Sequence, residues 1–136
     1  INIYIAAPDF DFVDTKPIDF ICQALEYHNF TPRRPIKENG QMAKEAEKTE
    51  RQKLFQSDMA LIDSCQIMLA VLLYNDPGTL IEIGVAAERR MPVLVYDPYS
   101  IADNCMLTEI PNVVSASADQ IISELFKYAS KLWKPY

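Results

Sequence analysis

Short apolar runs alternate along the chain with longer segments whose apolar residues recur at helical spacing. The runs at residues 1–7, 66–73, 92–96 and 112–114 are rich in β-branched and aromatic side chains and predict strands. Residues 30–35 contain two prolines, which exclude a helix and suit a strand at the edge of a sheet. The pattern therefore predicts five strands.

Four segments between these runs have the period of an amphipathic helix. Residues 79–90 and 119–131 form two of them, and residues 97–110 predict a loop. A third segment covers residues 42–63; its start is highly charged and its second half is expected to pack on the core, through Leu54, Phe55, Met59, Leu61 and Ile62. The first helix is capped by Thr15, ends near residues 28–29 and has one apolar face, formed by Ile18, Ile21, Cys22 and Leu25.

Alternation of strands and helices indicates an α/β fold with a parallel sheet and helices on both faces. We expect a flavodoxin-like three-layer sandwich with a five-stranded parallel sheet, built as a single domain over residues 1–136. Such sheets bind ligands outside the carboxyl ends of the strands, where the winding reverses beside the first strand. Residues 7–12 and 74–82 are predicted to lie there.

Charge and cysteine content narrow the class of protein. A formal net charge of −6 disfavours nucleic acid and anionic membrane surfaces as partners. The sequence contains no uninterrupted run of ~18 apolar residues, so it predicts no membrane-spanning helix. The cysteines are odd in number and lie far apart in apolar surroundings, which indicates reduced structural thiols and a cytoplasmic protein: Cys22, Cys65 and Cys105.

Two smaller features complete this part of the picture. The lone His28 is predicted to be a surface or capping residue, and nothing pairs with it to make a metal site or a Cys–His dyad. We therefore expect neither a metal nor a cofactor. The apolar residues 133–136 are expected to dock on the protein.

Candidate chemistry is concentrated at residues 75–84, which bring two carboxylates, Asp76 and Glu82, to the predicted crevice at the start of a helix. Free N–H groups and the helix dipole stabilise an ionised carboxylate in a first helical turn, so Glu82 is expected to stay charged. The residues alone leave two interpretations open. Glu82 is either a catalytic carboxylate or a residue that merely complements the dipole.

Four features in order along the chain resemble the nucleoside 2-deoxyribosyltransferase family, and together they cover nearly all of it. One is Asp58, eight residues before the predicted central strand. The other three are the segments Tyr4-Ile5-Ala6-Ala7-Pro8, Asp76-Pro77-Gly78-Thr79 followed by Glu82-Ile83-Gly84-Val85-Ala86, and Asn104-Cys105-Met106-Leu107. The chain is similar to the family in each motif and in the spacing between them.

The resemblance implies a role for each matching residue. Glu82 would be the nucleophile that attacks the anomeric carbon and carries a covalent deoxyribosyl intermediate, and Tyr4 would orient its carboxylate. Asp76 and Asp58 would lie around the base and the sugar, one of them protonated to donate a proton to the departing base. Asn104 would reach the site of a neighbouring subunit. The chemistry is that of a retaining glycosidase, in which crowding of carboxylates raises one pKa.

Further residues are predicted to contact the substrate. Ala6 and Gly78 belong to the matching motifs, and Met106 belongs to the Asn-x-Met segment. Phe10 and Phe12, in the loop after the first strand, are expected either to stack on a nucleobase or to staple the loop over the core.

Each of these roles has a plainer alternative. Asp58 could equally be a solvated residue on a helix, and Asp76 could simply form a turn. Tyr4 could be a packed core residue, and Asn104 could cap a local turn. The chain departs from the family at two places, where aspartate and Ala-Gly are commoner: Gln66 and Ala6-Ala7. We expect these departures to affect substrate fit.

Three functions follow as hypotheses. The first is transfer of 2-deoxyribose between nucleobases, with a nucleoside and a free base as partners and at least a dimer sharing its sites. The second is hydrolysis of a 2-deoxynucleoside 5′-monophosphate, with an anion site formed by Ser100, Arg33 and Arg34. The third is a non-catalytic module that binds a nucleotide-like ligand. Convergence of Glu82 and its two aspartates on one cavity would favour catalysis.

Overall fold

Five parallel strands form one sheet in a computed structural model of the chain, which describes residues 1–133. The order across the sheet is β2-β1-β3-β4-β5. This order confirms the predicted α/β fold and its flavodoxin-like topology. The strands are β1 Asn2–Ala6, β2 Thr31–Arg33, β3 Ile67–Val71, β4 Val93–Tyr96 and β5 Val113–Ser115.

Helices connect successive strands. The four long ones correspond to the predicted amphipathic segments, and the two short ones were not predicted from the sequence. The helices are α1 Lys16–Tyr27, α2 Pro35–Asn39, α3 Lys48–Asp63, α4 Pro77–Glu88, α5 Cys105–Glu109 and α6 Ala118–Leu132.

Helix ends account for most differences from the sequence prediction. Pro35, expected in the edge strand, opens α2, where a first-turn proline loses no hydrogen bond. The predicted loop at residues 97–110 contains α5, because the Asn104 side chain caps that helix by accepting a hydrogen bond from the Met106 N–H. Thr15 stands at the N-cap of α1, but its hydroxyl donates to Asp19 instead of capping the backbone.

The predicted helix at residues 42–63 begins only at Lys48. Gly40 has a φ of 101°, a conformation that side-chain-bearing residues rarely adopt, and it ends α2. The chain then runs as an irregular loop to Glu47, the N-cap of α3. The charged start of this segment has no buried face to hold it as a helix.

The two faces of the sheet bury different side chains. In β1, Ile3 and Ile5 pack in the cluster with α1 and α6, whereas Tyr4 and Ala6 pack in the cluster with α3 and α4. All of β3 is buried, as a strand covered on both faces should be. These layers fix the direction of the Tyr4 side chain, which points toward α4.

Two predictions about exposure were partly wrong. Cys22 and Cys65 are buried, but Cys105 is exposed because it opens the surface helix α5. Trp133 is 70% exposed and does not dock; the rest of the predicted docking segment lies outside the described residues. Within residues 1–133, every helix falls short of the length or apolarity that a membrane crossing requires.

Candidate active site

A cavity of about 410 Å³ opens beside the carboxyl end of β1 and brings together the three carboxylates singled out from the sequence. Glu82 and Asp76 reach it from α4 and its N-cap, and Asp58 reaches it from α3. Residues far apart in the chain therefore share one pocket at the edge where an α/β sheet of this order binds ligands.

Glu82 is held by a side chain from the sheet. The Tyr4 hydroxyl donates a hydrogen bond to Glu82 Oε2. Tyr4 is fully buried, and the pKa of its hydroxyl is raised, first by burial and then by the nearby Glu82 charge. Tyr4 consequently stays protonated and acts as a fixed donor to one oxygen of the carboxylate.

The pKa of Glu82 is raised from its ordinary value of 4.5 to about 7. Burial is the largest cause; the Tyr4 hydrogen bond lowers this pKa, and the charges of Asp58 and Asp76 raise it. The prediction of a carboxylate held ionised in a first helical turn was therefore wrong. Because α4 begins at Pro77, Glu82 lies in the second turn, beyond the free N–H groups and the strongest part of the dipole.

Asp76 caps α4 and is buried. Its Oδ2 accepts hydrogen bonds from the Thr79 N–H at 3.0 Å and from the Thr79 hydroxyl at 2.7 Å. Asp76 therefore does stabilise the local turn, as the plainer interpretation of the sequence proposed. The same residue also lines the cavity, so capping and a place in the site coexist.

Asp58 is half-buried on α3, and its Oδ1 accepts a hydrogen bond from Asn39 Nδ2 at 2.9 Å. Burial raises the pKa of this carboxyl, and the Asn39 bond partly opposes the shift. Asn39, at the end of the unpredicted helix α2, had no signal in the sequence.

The walls of the cavity are largely apolar. Phe10 contributes from the loop after β1, Met42 from the loop before α3, and Leu54 and Phe55 from α3 itself. Phe55 is 62% exposed, contrary to its predicted place against the core. Arg51 also lines the cavity and was not predicted from the sequence. The feature that could have indicated it is the composition of α3, whose apolar residues lie beside charged ones and are too few to form a fully buried face.

Of the substrate contacts predicted around β1 and α4, some line the cavity and others do not. Gly78 lines the cavity, but Ala6 is fully buried in the sheet core and its neighbour Ala7 lines the cavity instead. The rings of Phe10 and Phe12 stack with centroids 5.3 Å apart, and Phe12 is 75% exposed outside the cavity. Of the two, only Phe10 is positioned for a ligand in this chain's own pocket.

Asn104 and Met106 lie elsewhere in the same chain. They line a separate and larger cavity of about 500 Å³, whose walls include Leu80 and Ile83 of α4. Met106 is 63% exposed. The structure thus does not bring the Asn-x-Met segment to the carboxylates of its own chain.

The arginines considered for an anion site are engaged by carboxylates. Arg33 Nη2 pairs with Glu38 at 2.7 Å, and Arg34 pairs with Asp9 at 2.7 Å and with Asp19 at 2.8 Å. None of these residues lines the carboxylate cavity, and neither does Ser100, in the loop after β4. The predicted anion site does not form.

Gln66, expected to affect substrate fit, lies just before β3, at the opposite edge of the sheet from the cavity. Its Oε1 accepts a hydrogen bond from the Asn2 N–H at 2.7 Å. Its role in the chain is structural. Across residues 1–133, no group of three or more His, Cys, Asp or Glu side chains is arranged to hold a metal ion.

Comparison with known proteins identifies the family. Residues 3–121 match the family model for nucleoside 2-deoxyribosyltransferase, so the chain belongs to this family, which acts on the N-glycosidic bond of nucleosides. No curated protein sequence matches the chain significantly.

Solved structures share its fold. A 2-deoxyribosyltransferase of Bacillus psychrosaccharolyticus superimposes with a TM-score of 0.80 at 23% identity, over 100% of this chain and 99% of that one. A conserved protein of Enterococcus faecalis V583 gives 0.72 at 19% identity, over 93% and 97%. A CMP N-glycosidase of Clostridium botulinum gives 0.58 at 18% identity, over 94% and 99%.

The raised pKa of Glu82 predicts a pH-dependent effect on stability. Folding favours the protonated form of Glu82. The stability that the folded protein gains from this protonation is fully present below pH 4.5 and is lost as the pH rises through about 7. The variant Glu82→Gln should therefore exceed the wild type in free energy of unfolding by about 3 kcal/mol at pH 8. Near pH 4 the two should agree. Urea titrations at both pH values measure this difference.

Glu88→Gln, at the exposed end of the same helix, is the matched control and should show no such pH-dependent gain. A wild type as stable as Glu82→Gln at pH 8 would contradict the assigned burial of this carboxylate.

Proposed function

We propose that the protein transfers 2-deoxyribose between nucleobases through a covalent intermediate on Glu82. The observation that carries the proposal is the hydrogen bond from Tyr4 to Glu82 in a cavity that Asp58 and Asp76 also line. An oriented carboxylate beside a second, proton-donating acid is the arrangement that a retaining displacement at an anomeric carbon requires.

The reaction takes two displacements. In the first, ionised Glu82 attacks the anomeric carbon, the C–N bond breaks, and its electron pair leaves with the base as Asp58 donates a proton to that base. In the second, a nitrogen of the incoming base attacks the same carbon, the ester to Glu82 breaks, and Asp58 takes up the proton that the incoming base releases. Tyr4 keeps one oxygen of Glu82 hydrogen-bonded throughout.

Asp58 suits the proton donor better than Asp76. Burial favours the neutral form of Asp58, and a bound substrate would exclude more water and favour it further. Asp76, by contrast, uses Oδ2 to accept two hydrogen bonds from Thr79, so this oxygen is already engaged in capping α4. We assign Asp76 to holding the start of α4, and with it Glu82, in place.

The composition of the cavity favours nucleosides over nucleotides. Three carboxylates line it, Arg51 is the one cation among the lining residues that the structure describes, and none of these residues is Ser, Thr or Lys. A phosphate monoester would meet repulsion without a set of hydroxyl and cationic donors. This composition supports transfer between bases over hydrolysis of a monophosphate.

A second copy of the chain would complete the site. We propose that Asn104 and Met106 act from a neighbouring subunit, because in their own chain they line another cavity. Two exposed apolar side chains in the wall of that cavity, Met106 and Ile110, are consistent with a surface that is covered in an oligomer.

The direct test is an incubation with a 2′-deoxynucleoside, with and without a second free base, followed by chromatography. A new deoxynucleoside should form only when the second base is present. Glu82→Ala should lower this transfer by at least ~1000-fold, because the nucleophile is lost. Glu88→Ala, on the exposed end of α4, is the matched control and should retain it.

Two other outcomes would contradict transfer. Inertness toward deoxynucleosides together with base release from a deoxynucleoside 5′-monophosphate would identify a hydrolase. Inertness toward both would favour a binding module.

The Tyr4 hydrogen bond predicts a shift in the pH profile. With a deoxyriboside whose leaving group departs without a proton, such as a 4-nitrophenyl 2-deoxyriboside, Asp58 is not needed as an acid. For this substrate, wild-type kcat/KM should rise through about pH 7 as Glu82 ionises in the free enzyme. Because the bond from Tyr4 lowers the pKa of Glu82, Tyr4→Phe should move this rise to higher pH. Initial rates from pH 5 to 9 measure the shift. Tyr27→Phe, on an exposed tyrosine of α1, should leave the profile unchanged. An unmoved or lowered midpoint in Tyr4→Phe would refute the role given to Tyr4.

A further inference from the structure

Among the described residues, Arg51 is the one cation lining a cavity of three carboxylates, and it forms no ion pair with any of them. The proposed mechanism gives it no role. Its guanidinium is nevertheless ordered by the chain itself. Nε donates to the Ala46 carbonyl at 2.9 Å, and Nη2 donates to the Lys44 carbonyl at 3.2 Å. Nη1 donates to Met42 Sδ at 3.5 Å, an ordinary distance for a sulfur acceptor.

These contacts leave donors for a ligand. Each terminal nitrogen of a guanidinium carries two N–H groups, and each uses one of them here. Within residues 1–133, no acceptor is paired with the second N–H of either nitrogen. The loop carbonyls thus fix the orientation of the guanidinium. Arg51, an exposed residue, lines the cavity with part of its hydrogen-bonding capacity unused by the described residues.

The spacing along α3 places Arg51 at a defined distance from the proton donor. Leu54, Phe55 and Asp58 follow Arg51 by three, four and seven residues, so all four share one face of the helix. Seven residues correspond to about 10 Å along the axis. Between the two charged groups lie the apolar Leu54 and Phe55, with Phe10 also in the wall.

This order of side chains, from the acid through apolar residues to the cation, fits a nucleobase that receives its proton from Asp58 and extends from the sugar toward Arg51. The flat faces of the base would contact the apolar band, and its edge remote from the sugar would face Arg51. A guanidinium only donates hydrogen bonds, so its partner must be an acceptor. A ring carbonyl meets that requirement, whereas an exocyclic amino group presents donors and would be repelled.

We propose that Arg51 binds a carbonyl oxygen on the remote edge of the nucleobase, so that the site takes oxo-bases in preference to amino-bases. This inference rests on the proposed function and specifies the substrate class of the same site. Phosphate is the competing ligand for an arginine; the carboxylates and the lack of hydroxyl donors around it disfavour that ligand.

Matched substrate pairs test the inference. Deoxyinosine and deoxyadenosine differ in the remote-edge group, as do deoxyuridine and deoxycytidine. In at least one pair, the wild type should favour the oxo member in kcat/KM by ~10-fold or more, the scale of a hydrogen bond to a charged group. In Arg51→Gln, whose amide can either donate or accept, the ratio should fall to about one. Arg51→Lys should keep an oxo preference because it remains a cationic donor.

The ratio separates recognition from loop support. Both variants lose bonds to the loop carbonyls, and a loop effect alone would lower kcat/KM equally for the two members of a pair. Lys53→Gln removes one exposed charge from the same helix outside the cavity and should retain the wild-type ratio. An equal loss for both members, or a wild-type ratio near one in both pairs, would overturn the proposal. So would an effect of Arg51→Gln confined to 5′-monophosphates.

A binding measurement keeps this test independent of catalysis. Calorimetric titration of the wild type and Arg51→Gln with hypoxanthine and with adenine compares the two bases directly. Tighter binding of hypoxanthine that disappears in the variant supports the proposal even if no deoxynucleoside is turned over. The same titration with uracil and cytosine covers the second pair, and equal binding within both pairs by the wild type counts against the proposal. The proposed function itself stands or falls on turnover.

Discussion

The hydrogen bond between the Tyr4 hydroxyl and the Glu82 carboxylate joins the sheet to α4 beside the cavity that Glu82 lines. Its existence depends on strand alternation, which points Tyr4 toward α4, and on the Asp76 cap, which sets where α4 begins. Burial and two neighbouring aspartates raise the pKa of Glu82, and the Tyr4 bond opposes them. The balance leaves a carboxylate that ionises near neutral pH in a largely apolar pocket.

The fold was predictable because its signals are local and repeated. Four β-rich runs and one proline-containing edge segment, separated by helical segments, allow few parallel topologies, and the structure has the expected order. Short helices escaped prediction because their causes are single contacts. The cap by Asn104 creates α5, and Pro35 opens α2. The start of α3 was predicted too early, because a run of charged residues does not show at which residue the helix stops packing against the core.

The site was predictable in its identities and less so in its electrostatics. Motif resemblance singled out Glu82, Asp58 and Asp76, which the structure places in one cavity. The ionisation of Glu82 was predicted wrongly because it depends on burial and on the turn of α4 that it occupies. Arg51 was missed because its significance comes from the unpredicted loop whose carbonyls hold it.

Covalent participation of Glu82 is the central claim, and trapping the intermediate tests it most directly. A 2-fluoro-substituted deoxynucleoside destabilises the cationic transition state and slows release of the sugar, so a glycosyl adduct should accumulate. Mass spectrometry of proteolytic peptides should locate the adduct on Glu82, and addition of a free base should remove it. Base release without an adduct, or an adduct on Asp58 or Asp76, would contradict the account.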